Sequence, residues 1–359
     1  MIRRPVAVLA TFGAVLVALV AVALAYRAYR QHEIAKSLAS TSSRSIHAAM
    51  FVRIGGIDQA IQIRGEDRAN PVILVLHGGP GISMMALTPV FRSWEKYFTV
   101  VQWDQRGAGK TYGRNGRTVE RPEMTIKRMS EDGLEVAAYI RAYLHRDKII
   151  VLGHSWGTVL ALRMVIARPA WFGAYVGTGQ LVDKSINEDV AYRQLLTKVR
   201  DAGDGKGERA LGMIGPPPYR NLDTLIAERK WVTTYDTPAE RNLESSLTPM
   251  ILFAPNYSLL DIVDFQHGIS FSQAATYAEN NAYDARMLGE RFEVPFFIFQ
   301  GEEDNQTPTI LAERYFDAIE APVKKIELLK GGGHSAMLTM PDVFLDRLLM
   351  DVLPLTDGH

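Results

Sequence analysis

Ser155 stands in the run Gly153-His154-Ser155-Trp156-Gly157, whose residue types and spacing suit a nucleophile. A serine hydroxyl attacks a carbonyl only when it is held exposed and a neighbouring base takes its proton. The apolar run 149–152 before the motif reads as a strand, and 158–167 after it reads as a helix. The serine therefore falls on a strand-to-helix turn. Glycines two residues to either side permit a sharp turn, and the free N–H groups at the helix start face the reaction centre. The chemistry expected is acyl transfer through an acyl-enzyme.

An orienting acid and a base are then required, in the chain order Ser, acid, His. Asp304 lies in Gly301-Glu302-Glu303-Asp304, just past the apolar strand 296–299. His334 lies in Gly331-Gly332-Gly333-His334, just past the strand 326–329. Loops at the C-terminal ends of parallel strands are where such sites are built. His334 is expected to take the Ser155 proton, and Asp304 to fix its tautomer and stabilise the imidazolium. Glu302 and Glu303 flank Asp304, and Asp183 is an alternative acid after the preceding strand. The oxyanion needs two backbone donors. The Trp156 N–H is one. Gly79 in His77-Gly78-Gly79-Pro80-Gly81 is the other, with Gly78 as the alternative. His77 reads as a hydrogen bonder that organises its loop, and His154 as a packing residue of the turn.

Other chemistries find little support. Cys is absent, which excludes disulfides and cysteine catalysis. Lys+Arg and Asp+Glu each count 40, so nothing argues for nucleic acid. Gly107 to Thr111 ends like a phosphate-binding loop, but the first glycine of that motif would fall on Asp104. No ligand cluster of metal-binding spacing occurs, so neither metal nor cofactor is expected.

These residues need a scaffold. Compact apolar runs at Val72–Leu76, 98–103, 148–152, 174–177, 294–299 and Lys324–Leu329 alternate with helical stretches such as 129–144. That rhythm predicts an α/β fold, mostly a parallel sheet flanked by helices. Residues 51–63 alternate around Gly55-Gly56 and suggest a hairpin. The rhythm breaks over 182–291, which reads as a helical cap insertion. The core then comprises 51–181 and 292–359, with 31–50 as a linker. Residues 1–30 carry a basic cap followed by an uncharged apolar run from Val6 to Ala25, long enough to cross a bilayer. An uncleaved anchor is expected, with the catalytic domain outside the cytoplasm. Cleavage after Ala23-Leu24-Ala25 and secretion is the alternative.

Three blocks carry a family resemblance: His77-Gly78-Gly79-Pro80-Gly81, then Trp103-Asp104-Gln105-Arg106-Gly107-Ala108-Gly109-Lys110-Thr111, then Gly153-His154-Ser155-Trp156-Gly157-Thr158. Together they resemble the prolyl iminopeptidase-like branch of the α/β hydrolases. The resemblance implies an aminopeptidase that frees an N-terminal residue, typically proline, from a small peptide. It implies Ser155, Asp304 and His334 as the triad, and Gly79 and Trp156 as oxyanion donors. In that branch, cap glutamates hold the substrate's ammonium. The cap here offers Glu188, Glu228, Glu240, Glu244, Glu279 and Glu290, of which Glu244 and Glu188 are the candidates, without a matching motif. A carboxylesterase or lactonase acting on a small acyl substrate is the alternative, and a non-catalytic membrane-anchored binding protein is the second alternative.

Overall fold

The computed structural model describes residues 3–116 and 123–356, with side chains from Thr11 onward. Helix α1 spans Arg3–Ser37. It runs past residue 30, where the sequence pattern placed a linker: most residues from Gln31 to Lys36 are good helix formers, and Gln31 bonds to the carbonyls of Ala254 and Tyr257. Its described apolar part, within Thr11–Ser37, is exposed to the surroundings along its length. It is a candidate membrane or signal helix by length and composition.

A hairpin follows, β1 (Ile46–Ile54) and β2 (Ile57–Gly65), turning at Gly55-Gly56. Then come β3 (Val72–Leu76), β4 (Thr99–Trp103), α2 (Gly109–Asn115), α3 (Ile126–Leu144), β5 (Ile149–His154), α4 (Trp156–Ala167) and β6 (Phe172–Thr178). Five helices interrupt the alternation: α5 (Lys184–Asp201), α6 (Gly205–Ile214), α7 (Leu222–Thr234), α8 (Pro238–Leu252) and α9 (Leu259–Asn281). The sheet resumes with β7 (Phe296–Gly301), α10 (Thr309–Ala318) and β8 (Lys324–Leu329), and the chain closes with α11 (Ala336–Thr339) and α12 (Pro341–Arg347).

The strands form one sheet in the order β1-β2-β4-β3-β5-β6-β7-β8. β1, β2 and β4 pair antiparallel, and every pair from β4 through β3 to β8 is parallel. Every residue of β3, β4, β5 and β7 is buried. This is why those strands read as continuous apolar runs: both faces of a parallel sheet are covered by helices. Alternate side chains feed two cores. Leu74 and Val151 pack with α3 and α4 on one face, while Val75 and Leu152 pack with Trp94 and Phe344 on the other. The parallel strands share one direction, so the loops after β3, β5, β7 and β8 emerge at one end. The cap helices lie over that end.

Candidate active site

Ser155 is the residue at which β5 gives way to α4. Its backbone has φ 52° and ψ −120°, a conformation that L-residues rarely adopt and that marks stored strain. Two local facts hold it. The Ser155 N–H donates to Thr178 O at 2.9 Å, and the Ser155 carbonyl receives the Thr158 N–H at 2.9 Å. The flanking glycines are needed for close passage: a methyl group on Gly157 would meet Leu76 O at 2.1 Å. Any larger residue would push β3 and the elbow apart.

The His77–Gly81 loop passes directly beside the serine. A Cβ on Gly78 would lie 3.0 Å from Ser155 Cβ, and Gly78, Gly79, Ser155 and Trp156 all border one cavity. A hydrogen-bond chain fixes the loop's level. His77 Nδ1 donates to Gly78 O at 2.9 Å, and His77 Nε2 accepts the Gln105 N–H at 3.2 Å. Gln105 Nε2 donates to His77 O at 2.9 Å, and its Oε1 accepts the Trp156 indole N–H at 3.2 Å. Gln105 thus ties together the two loops expected to supply oxyanion donors. Burial pushes His77 down to about 4, so it stays neutral as this bonding pattern requires. Its neighbours Asp104 and Arg106 are also structural. Asp104 accepts the Ser83 hydroxyl and the Lys110 N–H, and Arg106 forms a buried pair with Asp132 at 2.7 Å.

Asp304 and His334 meet across the β7 and β8 loops. His334 Nδ1 lies 3.0 Å from Asp304 Oδ2 and 3.1 Å from Oδ1. The carboxylate is otherwise wrapped in neutral donors. These are Gln300 Nε2 (2.8 Å), the Thr307 hydroxyl (2.6 Å) and the backbone N–H groups of Gln306 and Thr307 (2.8 Å each). Burial opposes its charge, but His334 and the Thr307 bonds outweigh burial and hold Asp304 below the usual carboxylate range. For His334 burial opposes the charged ring, and Asp304, with Glu240 and Asp236 further off, overrides this and holds its pKa above the ordinary histidine value. Nε2 is then the nitrogen left to face the cavity, which His334 and Ser155 both line. His154 stays a neutral neighbour. It is pushed down to about 3 by burial and by His334, its Nε2 lies 3.2 Å from His334 O, and the two rings sit 5.1 Å apart.

The remaining acids fall elsewhere. Glu302 and Glu303 are exposed. Asp183 caps the start of α5 and pairs with Arg286. Glu244 lies on the exposed face of α8, outside the cavity lining. Glu188 is buried but already engaged: both its oxygens accept from Arg229, at 2.6 and 2.8 Å, and Oε1 also accepts from Lys184. Arg229 in turn holds Glu228 at 2.6 Å. The cavity, about 350 Å³, runs from Ser155 into the cap between apolar side chains such as Leu225, Leu243 and Leu247. Among the described residues, its lining includes Lys184 and Arg229 and no Asp or Glu. Gln105, Thr307 and Gln300 were not singled out from sequence as parts of the site, and Glu240 was offered only as one of the cap glutamates. Only Gln105 carried a signal, its place in the Trp103–Gly107 block.

The chain belongs to the alpha/beta hydrolase family, which matches residues 73–347; it is a hydrolase by that membership. Among curated relatives it is similar to a probable aminopeptidase, YbaC, of Bacillus subtilis strain 168. The two are 28% identical over 312 residues, which span 85% of this chain and 96% of the relative. The proline iminopeptidase-related protein of Thermus thermophilus shares the fold, with a TM-score of 0.61 at 18% identity, over 88% of this chain and all of that one (100%). A membrane phospholipase A described as a bacterial virulence factor also shares it, with a TM-score of 0.59 at 13% identity over 97% of each chain.

Proposed function

We propose that the protein hydrolyses an acyl bond through an acyl-enzyme on Ser155, with His334 as base and Asp304 as its orienting acid. The supporting observation is the placement of a strained, cavity-lining serine and a carboxylate-bound, cavity-lining histidine in one cleft. In the first step Ser155 Oγ attacks the carbonyl carbon and its proton passes to His334 Nε2. The oxyanion is met by N–H groups of Trp156 and of Gly79 or Gly78. Collapse breaks the acyl bond, and His334 returns the proton to the leaving group. A water molecule, deprotonated by the same ring, then frees the acid.

The substrate favoured by kinship is a small peptide that loses its N-terminal residue, as the name of the Bacillus relative suggests. The cavity wall favours a second reading, hydrolysis of an ester or lactone. A buried ammonium needs a carboxylate; the cavity lining offers none among the described residues, and Glu188 and Glu228 behind it are paired with Lys184 and Arg229. Helix α1 is read as a membrane anchor with the hydrolase outside the cytoplasm; its exposed apolar length supports the anchor. The test is turnover of proline naphthylamide, its N-blocked form and a short p-nitrophenyl ester by the full chain, with Ser155→Ala as control. Turnover confined to the free amine supports the aminopeptidase. Turnover of the ester with no need for an amine supports the second reading. Undiminished turnover by Ser155→Ala overturns both.

A further inference from the structure

The cap reaches the base loop through one buried carboxylate. Glu240 sits in the first turn of α8 and is 7% exposed. Its Oε1 accepts the Ser335 N–H at 2.7 Å. Ser335 directly follows His334. The Glu240 stem packs on the same loop, since a Cβ on Gly333 would lie 2.5 Å from Glu240 Cγ. Asp236, in the connection just before α8 and 4% exposed, approaches the same glycine. It accepts the Thr237 N–H and an N–H of Asn305, which is itself held by Lys198.

We infer that Glu240 is a positioning residue for the base: by gripping Ser335 N–H from the cap, it fixes where His334 stands and makes that placement depend on the cap. The inference rests on the triad reading. Its physical content is twofold. A hydrogen bond to a carboxylate is stronger than one to a neutral acceptor, so the loop is held firmly. A second negative charge near the ring also favours the imidazolium that forms during the reaction.

The groups facing His334 are Asp304 from the β7 loop, Asp236 and Glu240 from the cap, and neutral His154 from the elbow. Lys198 faces Asn305 rather than the ring. Burial pushes Glu240 up to about 6. The charge of each group bears on the other, so the titrations of Glu240 and of His334, which is held above its ordinary value, are coupled.

The test uses the full chain with a p-nitrophenyl ester. Glu240→Gln keeps an acceptor for Ser335 N–H and removes the charge. Glu240→Ala removes both. Glu240→Gln is expected to lower kcat severalfold, much less than Glu240→Ala, while the acid limb moves to lower pH and narrows to a single titration. Glu240→Ala is expected to lower kcat about tenfold to a hundredfold with KM little changed, as misplacing a reacting group does. Should the Ala variant fold poorly, the Gln variant's pH profile decides alone. A merely structural glutamate would leave that profile unmoved, and this result overturns the inference. Failure of the triad reading is distinguishable, because Ser155→Ala would then retain full turnover.

Discussion

Asp304 and Glu188 are both buried carboxylates beside a nitrogen base, yet their surroundings differ in kind. Asp304 is bound by neutral donors and one titratable ring. Glu188 is bound by two cationic side chains, Arg229 and Lys184, and is held below the usual range because their charges outweigh its burial. The core site thus keeps a negative charge that nothing balances until His334 takes a proton. The cap cluster is balanced before any substrate arrives. An unbalanced buried charge favours the charged intermediate of a reaction; a balanced one serves the fold.

Breaking the core side of this contrast has the largest expected effect. On the proposed mechanism Ser155→Ala should lower kcat about a millionfold, with the thermal midpoint kept, because members of a triad act as a unit. Asp304→Asn should cost about ten-thousandfold in kcat through the wrong tautomer. Stability then sharpens the contrast. His334 is raised, so its contribution is full below the unfolded histidine value and is lost as pH rises through the folded one. Asp304 is lowered, so its contribution is present above the unfolded aspartate value and is lost as pH falls through the folded one. Both are present between about 4 and about 6.5. Asp304→Asn should lower stability most within that window and flatten its fall on either side, as followed by urea unfolding at several pH values.

The cap side should fail in the opposite way. Arg229→Met leaves Glu188 short of a partner and Glu228 with none among the described side chains that now hold it. A loss of about 3–5 kcal/mol of stability is expected, with turnover of a short neutral ester per folded molecule changing less than tenfold. An exposed pair supplies the lower bound. Arg193→Ala, which removes the surface partner of Asp189, should shift stability by less than about 0.5 kcal/mol in the same unfolding assay.

The difference between the regions also governs what could be read from sequence. Ser155 and Asp304 follow buried strands and His334 follows the edge strand β8, and each stands in a glycine-bearing turn, so the signal lies within a few residues of each. The fully buried strands announced themselves as apolar runs. Strand edges were less legible: β6 begins at Phe172 and β7 continues to Gly301, because pairing with neighbours rather than local pattern decides where a ladder stops. The cap offered no such help. Its acids are matched by residues far along the chain, Glu188 by Arg229 and Glu240 by Ser335, and nothing in the local spacing of Glu244 distinguished it from them. Thr307 and Gln300 gained their roles only when β7 and its loop curled around Asp304.

One contact far from the chemistry bears on how the protein can be handled. The far end of α8 and the turn beyond it offer their carbonyls to α1. Arg27 Nε donates to Leu252 O at 2.9 Å, Gln31 Nε2 donates to Ala254 O and Tyr257 O at 2.7 and 2.9 Å, and Tyr26 meets Phe253 edge-on. α8 is thus a strut about 22 Å long, footed on α1 at one end and gripping the base loop at the other. Trimming the chain after Ala25 leaves the footing whole, whereas starting it at residue 32 removes Arg27 and Gln31 and leaves those carbonyls to water. Two preparations differing by six residues would then carry the same proposed triad on differently braced caps, and kinetics measured on the shorter one would describe the brace as much as the enzyme.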